Sequence, residues 1–303
     1  MDMCVILNPN AGSAAQATVL QEALAHQANV TLRVTRRKGE AKDLAAAALP
    51  AGYDVIVAAG GDGTIHEVVN GLATGFTRTR LGIIPLGTGN DLARTLAIPL
   101  EPLEALSVLT GGTERWLDLI RVETVGQMIY GINMAIGGFT GQMNEVLTDA
   151  RKRSWGPLAY LLGATQVVPD LTTYKTIITC DNSPVERIDA FNIAVANGRT
   201  AAGGFQVVPQ ANPEDGLLDL VIIRYVSLAQ LAEVAARFVA GTYLEHEHVL
   251  HRRVCRLRIY SRPGMWFNVD GELLTKEPVT FTIQPRALRV IVGPHYTPRP
   301  DTS

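Results

Sequence analysis

Gly60-Gly61-Asp62-Gly63-Thr64 stands between an apolar run, Asp54-Val55-Ile56-Val57-Ala58-Ala59, and a stretch with helical patterning from Ile65 to Leu72. A strand, a glycine turn and a helix start together aim main-chain N–H groups and a helix dipole at a phosphate. Glycine permits positive φ and removes the Cβ that would hold a phosphate off the backbone. Asp62 places a carboxylate inside the same turn. That carboxylate would repel a bare phosphate, so a cation between them is implied, and Mg²⁺ with ATP meets that description. An ordinary tight turn is the plainer account, but it does not need Gly-Gly-Asp-Gly in series.

Two further turns have the same form. Met3-Cys4-Val5-Ile6-Leu7 runs into Asn8-Pro9-Asn10-Ala11-Gly12, and Leu81-Gly82-Ile83-Ile84 runs into Pro85-Leu86-Gly87-Thr88-Gly89-Asn90-Asp91; helical patterns follow both. Parallel α/β sheets place such loops along one edge, so three of them can converge on one ligand. Phosphoryl transfer also needs an acceptor for the nucleophile's proton. Asp270 and Glu272 flank Gly271, and strand alternation puts both on one face unless Gly271 bends the chain. Asp-Gly is equally a strong hairpin turn, and both readings stand at this point. Glu214-Asp215-Gly216-Leu217-Leu218-Asp219 is a second acidic turn, which by its residues alone reads as an ordinary Asp-Gly hairpin.

Asn8-Pro9-x-Ala-Gly12, Gly60-Gly-Asp-Gly-Thr64 and Pro85-Leu-Gly-Thr-Gly-Asn-Asp91 resemble the signature loops of the diacylglycerol kinase catalytic-domain family, in its bacterial YegS-like lipid kinase branch. The likeness continues through Val34-Thr35, Gly39-Glu40-Ala41, Asn197-Gly198-Arg199, Asp215-Gly216-Leu217-Leu218-Asp219 and Val269-Asp270-Gly271-Glu272, in the family's order. The resemblance implies ATP contacts at Asn8, Pro9, Asn10, Ala11, Gly12, Thr35, Gly60, Gly61, Asp62, Gly63, Thr64, Ile65, His66 and Thr88. It implies Glu272 as proton acceptor, with Asp270 orienting it or helping to hold a cation. It also implies Mg²⁺ at the Asp215 carboxylate with the carbonyls of Asn212 and Leu217. Where His66 stands the family commonly has Asn; a nucleotide contact and an exposed helical His are both open readings.

These motifs must be carried by two kinds of architecture. Up to about Leu117 short apolar strands (3–8, 30–35, 54–59, 81–85) alternate with helical segments (13–26, 40–48, 64–74, 88–96, 102–109), the pattern of a parallel sheet covered by helices. Beyond it the segments 115–124, 128–135, 173–181, 188–197, 217–224, 253–261, 265–270, 277–284 and 287–292 read as strands, with helices at 141–149, 154–166 and 227–240. Many strands and few helices indicate an antiparallel β-sandwich. The expected organisation is a nucleotide-binding Rossmann-like α/β domain over 1–119, a β-sandwich domain over 120–293, and a tail, 294–303, that the resemblance returns towards the first domain.

The bulk composition narrows the classes. At 303 residues, 47% hydrophobic and 18% charged, the chain is a packed globular protein with room for two cores. A net charge of −2 gives no footprint for nucleic acid. Cys4, Cys180 and Cys255 lack metal or disulfide spacing and suit a reduced compartment. There is no signal architecture and no apolar run of membrane-spanning length. The resemblance therefore implies a cytoplasmic enzyme that meets its lipid at the inner membrane surface. Arg151-Lys152-Arg153, ahead of Trp155 and Leu158, either meets anionic headgroups or is a solvated helix start. His246, His248 and His251 are expected at the surface. Acceptors compatible with this reading are diacylglycerol, phosphatidylglycerol or a sphingoid base. The alternatives are a kinase of a soluble acceptor such as NAD and a non-catalytic nucleotide-binding regulator.

Overall fold

The computed structural model describes residues 1–25, 27–138, 173–275 and 278–298. The helices expected at 141–149 and 154–166, and the basic run at 151–153, lie outside the described residues. Strands β1 (Met3–Leu7), β2 (Val30–Val34), β3 (Val55–Gly60) and β4 (Arg80–Pro85) pair in the order β2–β1–β3–β4, all parallel. β1 and β3 are buried at every position, which is why their sequences are unbroken apolar runs: helices cover both faces of the sheet. Those helices are α1 (Ala14–Ala25), α2 (Glu40–Ala48), α3 (Asp62–Gly71), α4 (Asp91–Thr95) and α5 (Pro102–Gly111). Each follows a strand or continues from the helix after one, so the loops at the carboxyl ends of β1, β3 and β4 lie side by side.

The second unit is antiparallel. β5 (Thr113–Thr124), β6 (Gln127–Gly131), β7 (Met134–Gly138), β8 (Tyr174–Cys180) and β9 (Glu186–Ala196) come first, with short β10 (Thr200–Ala201) and β11 (Phe205–Gln206) after them. β12 (Leu218–Arg224), α6 (Leu228–Val239), β13 (Val249–Val254), β14 (Arg256–Arg262), β15 (Phe267–Val269), β16 (Glu272–Thr275) and β17 (Val279–Val292) complete it. Two apolar clusters fill this unit. One lies around Ile193, Leu220, Leu257, Phe267 and Phe281. The other lies under α6, around Val208, Val221, Val234 and Tyr243.

β17 joins the two units. Val279–Gln284 pair with β5, and Val279–Thr282 also with β14, both antiparallel; Arg289 and Val290 then pair with Arg80 and Leu81 of β4 in parallel. A shift in register between Gln284 and Leu288 bends the strand from one unit into the other. The strands expected at 277–284 and 287–292 are therefore one.

Two other expected strands are each divided, for a visible reason. The segment 128–135 breaks at Ile132 and Asn133, whose N–H groups donate to the Asp270 carboxylate. The segment 253–261 breaks at Cys255, where the N–H groups of Cys255 and Arg256 both donate to Asp181 Oδ1. Side-chain acceptors have replaced ladder partners at both places. Cys4 and Cys180 are buried while Cys255 is exposed, and all three thiols are free.

After β17 the chain turns back onto the first unit. The Gly293 N–H donates to the Leu96 carbonyl, and Tyr296 packs against the first core. The Phe281 ring is fully buried and meets Phe267 edge-on with centroids 5.2 Å apart. Phe281→Ala is expected to lower unfolding free energy by about 3–5 kcal/mol, read from urea midpoints at unchanged m-value.

Candidate active site

The three glycine turns touch through bare backbone. A Cβ on Gly12 (φ +71°) would lie 1.8 Å from the Leu86 carbonyl oxygen, and one on Gly87 would lie 2.6 Å from Gly61 Cα. Any other residue at either position would push the loops apart. Asn8 Nδ2 donates to Thr64 Oγ1 (3.1 Å), tying the first loop to the second. Asn90 closes the third on itself: its Oδ1 accepts from Gly87 N–H (2.9 Å), and its Nδ2 donates to Gly87 O (2.8 Å). Pro9, Asn10, Ala11 and exposed Thr88 lie on the rims of this cradle, and Gly60 to Thr64 form its floor at the start of α3. Thr35 is buried at the end of β2, its N–H donating to the Leu7 carbonyl (2.8 Å). Ile65 is core, 1% exposed, so only its backbone can serve a ligand.

Beside the cradle, Asp62 and Asp91 converge on Gly89. A Cβ on Gly89 would meet Asp62 Oδ2 at 3.0 Å and Asp91 Oδ2 at 3.3 Å, so both carboxylates point to a position that glycine leaves clear of side chain. Asp91 accepts from the N–H groups of Gly203 (3.1 Å) and Gly204 (2.7 Å), which belong to the turn between β10 and β11. The sequence marks Asp91 only as the end of a glycine loop; the fold brings it beside Asp62. Burial raises the Asp62 pKa to about 6, with help from the Asp91 charge and a smaller push from Asp270, against hydrogen bonding from the Leu92 N–H. Burial also raises Asp91, which the Gly203 and Gly204 amides and Arg94 pull back.

Asp270 and Glu272 occupy a tight turn, with φ +51° at Asp270 and +93° at Gly271 joining β15 to β16. Gly271 does bend the chain, so the turn reading holds, and the turn itself carries the site. The Asp270 carboxylate is buried and accepts from the N–H groups of Ile132 (2.8 Å), Asn133 (3.0 Å) and Met134 (2.9 Å). Buried His66 lies against it, Nδ1 to Oδ2 at 3.4 Å, with Asn70 Nδ2 3.3 Å from its Nε2. His66 is not exposed, and it lines the cleft beside Glu272. It packs α3 onto the hairpin.

Glu272 is carried past that anchor to the helix start. Its Oε1 lies 3.3 Å from where a Gly63 Cβ would be, and its Oε2 is 2.5 Å from Lys38 Nζ. Glu67 accepts from the N–H groups of Gly39 (2.8 Å) and Ala41 (3.1 Å), fixing the Lys38 loop to α3. These groups border a cleft of about 290 Å³ lined by Lys38, Lys42, Asn70, Ile129, Glu272 and Leu274, among others.

The Asp215 turn is arranged differently. Asp215 Oδ1 accepts from Leu217 N–H (3.0 Å), and its Oδ2 is ion-paired with Arg253. The Asn212 carbonyl accepts from Asp215 N–H (3.4 Å). Beneath lies Asp118, fully buried, accepting from Gly216 and Arg286 N–H (2.7 Å each). Among the described residues no three His, Cys, Asp or Glu side chains are grouped to hold a metal. His246, expected outside, is buried with Nε2 3.3 Å from Glu233.

An acid whose folded pKa is raised binds its proton more readily when folded, so its contribution to stability falls as pH rises through the window from 3.8 to about 6. Asp62→Asn should therefore be more stable than wild type above that window, by up to about 3 kcal/mol in Mg²⁺-free buffer. The difference should shrink towards zero below it. Urea midpoints across pH check the sign.

The pattern of loops can be set against known families. The diacylglycerol kinase catalytic domain matches residues 2–122, and the YegS C-terminal NAD kinase beta sandwich-like domain matches residues 134–292. A diacylglycerol kinase of Bacillus subtilis is 33% identical over 295 residues, 95% of each chain. A Pseudomonas aeruginosa protein named "Probable lipid kinase YegS-like" is 34% identical over 86% of this chain and 84% of its own. A solved diacylglycerol kinase structure from Bacillus anthracis superposes with a TM-score of 0.79 at 24% identity, covering 98% of both chains. The α/β unit with its three glycine loops, followed by the antiparallel sandwich, places this chain in the diacylglycerol kinase catalytic-domain family, in its YegS-like branch.

Proposed function

We propose that this chain is an ATP- and Mg²⁺-dependent lipid kinase that transfers the γ-phosphoryl group to a lipid hydroxyl. The observation that carries the reading is Glu272 lying over Gly63: a carboxylate from the second unit reaches the first turn of the phosphate-cradling helix. A turn needed only to connect β15 and β16 has no reason to end there. Relatives named for lipid phosphorylation, similar over nearly the whole chain, support the same substrate class.

The nucleotide's phosphates would lie on the amides of Gly60 to Thr64 and against the Asn8–Gly12 and Thr88 loops, where the glycine cradle fits them. Asp62 and Asp91 would hold the cation. Two carboxylates around the space left by Gly89 suit an ion that completes its shell with phosphate oxygens and water. When bound, the ion supplies neutralisation of phosphate charge. Glu272 accepts the proton of the lipid hydroxyl as its oxygen bonds to phosphorus, and the bond to the leaving diphosphate oxygen breaks. Lys38 orients Glu272, and Asp270 holds the hairpin that presents it.

A second cation at Asp215 with the Asn212 and Leu217 carbonyls is the weaker element. It would compete with Arg253 for the carboxylate, and no step depends on it. The acceptor belongs in the cleft between Lys38 and Leu274, and the enzyme would work at the inner face of a membrane. No helix among the described residues is long and apolar enough to cross one.

Glu272→Gln should lower turnover about 10²- to 10⁴-fold with circular dichroism unchanged. The assay uses labelled ATP, Mg²⁺ and a panel of diacylglycerol, phosphatidylglycerol and sphingosine in mixed micelles, with NAD as the soluble control. Near-wild-type turnover would remove Glu272 from the reaction, and label on NAD alone would overturn the lipid class.

A further inference from the structure

One edge of the cleft beside Glu272 is apolar and open. Ile129 and Leu274 line its wall, and Leu273, also lining it, is 39% exposed. The β5–β6 hairpin continues this wall outward. Gln127 and Ile129 face the cleft, and the tip beyond them carries Val125, 86% exposed, while Met128, 49% exposed, alternates to the other face of β6. Gly126 turns the tip with φ +83°, a conformation that serves a tight turn and leaves Val125 at its apex. A lone exposed valine needs no account, but Val125 at the tip and Leu273 at the cleft edge together carry the apolar wall formed by Ile129 and Leu274 into solvent.

The opposite edge is basic. Arg36, Arg37, Lys38 and Lys42 fall within seven residues, all exposed. The acids near them are already engaged: Glu40 accepts from the N–H groups of Arg36 and Arg37, exposed Asp43 pairs with Arg37, and Glu67 holds Gly39 and Ala41. Arg36 and Lys42 thus remain on the outer side of the loop, and Lys38 stands at the cleft mouth beside Glu272. Cations on one lip and apolar side chains on the other match the two chemistries met at an anionic membrane surface, phosphate above and acyl chain below.

We propose that this rim docks the enzyme on an anionic lipid surface, with the β5–β6 tip entering the acyl boundary and the 36–42 loop meeting lipid phosphates. The cleft then opens directly onto the membrane, so an acceptor hydroxyl reaches Glu272 without leaving the lipid phase. The inference rests on the lipid kinase reading and adds the surface by which that substrate is approached.

The test is sedimentation of the full chain, without nucleotide, with vesicles of phosphatidylcholine alone or of equimolar phosphatidylcholine and phosphatidylglycerol. Wild type should partition onto the anionic vesicles and weakly onto the neutral ones. Val125→Asp, at the exposed apex of the turn, should weaken partitioning about tenfold or more. Lys42→Glu should weaken it about fivefold or more and only on anionic vesicles. The tip variant should retain wild-type transfer to a short-chain diacylglycerol dissolved as monomers. Failure of wild type to sediment, equal sedimentation with both vesicles, or a tip variant that sediments like wild type would each overturn the proposal. Absence of transfer to the dissolved acceptor by wild type would count against the kinase reading and leave the partition result to decide this one.

Discussion

The site depends on one buried carboxylate. Asp270 receives three successive amide donors from Ile132, Asn133 and Met134 and lies against His66. A buried charge is tolerable only when it is fully hydrogen-bonded, and charge-assisted bonds of this kind are the strong ones. The cost is a broken strand: β6 and β7 stop on either side of residues whose amides have left the ladder. In return the β15–β16 turn is fixed against both its own sheet and α3. Without that fixing, the position of Glu272 over Gly63 would be left to a two-residue turn at a sheet edge.

The acids on the other side of the cradle are held in tension. Asp62 and Asp91 converge beside Gly89, and among the described residues the second unit offers them the Gly203 and Gly204 amides, both to Asp91. Two carboxylates raised by burial, Asp62 also by the Asp91 charge, lower the stability of the folded chain at neutral pH. Asn197-Gly198-Arg199 serves the same joint. Asn197 Nδ2 donates to the carbonyls of Asp118 and Ile132, Gly198 packs against Asn133, and Arg199 grips the carbonyls of Ala211, Thr297 and Pro298. Motif residues that do no chemistry keep the two units in register.

The parallel half was legible because its signals are local. Apolar runs ending in glycine turns mark β1, β3 and β4 directly, and their common edge follows from the topology of parallel sheets. Strand boundaries failed where a distant side chain took over a backbone donor, as Asp270 does at Ile132 and Asp181 at Cys255. No period in the sequence records that. His66 shows the same limit: its partner Asp270 lies 204 positions away, so its burial had no local signal. Asp91 could have been found, since it ends a glycine loop of the same form as that of Asp62. The Lys38–Glu272 pair had no such signal, because nothing near Lys38 points towards residue 272.

β17 runs through both units as one hydrogen-bonded strand, paired with β5 along nearly its whole length. A protein whose halves were tied by a flexible tether could close on its substrates like a jaw. Here the connecting ladder has no free pivot, and closure must take the form of a change in sheet coiling centred on the bulge at 285–287. Motion of that kind is small in amplitude and stiff. It also joins the melting of one half to the other, so heat or denaturant should dismantle the molecule in a single concerted event rather than half by half.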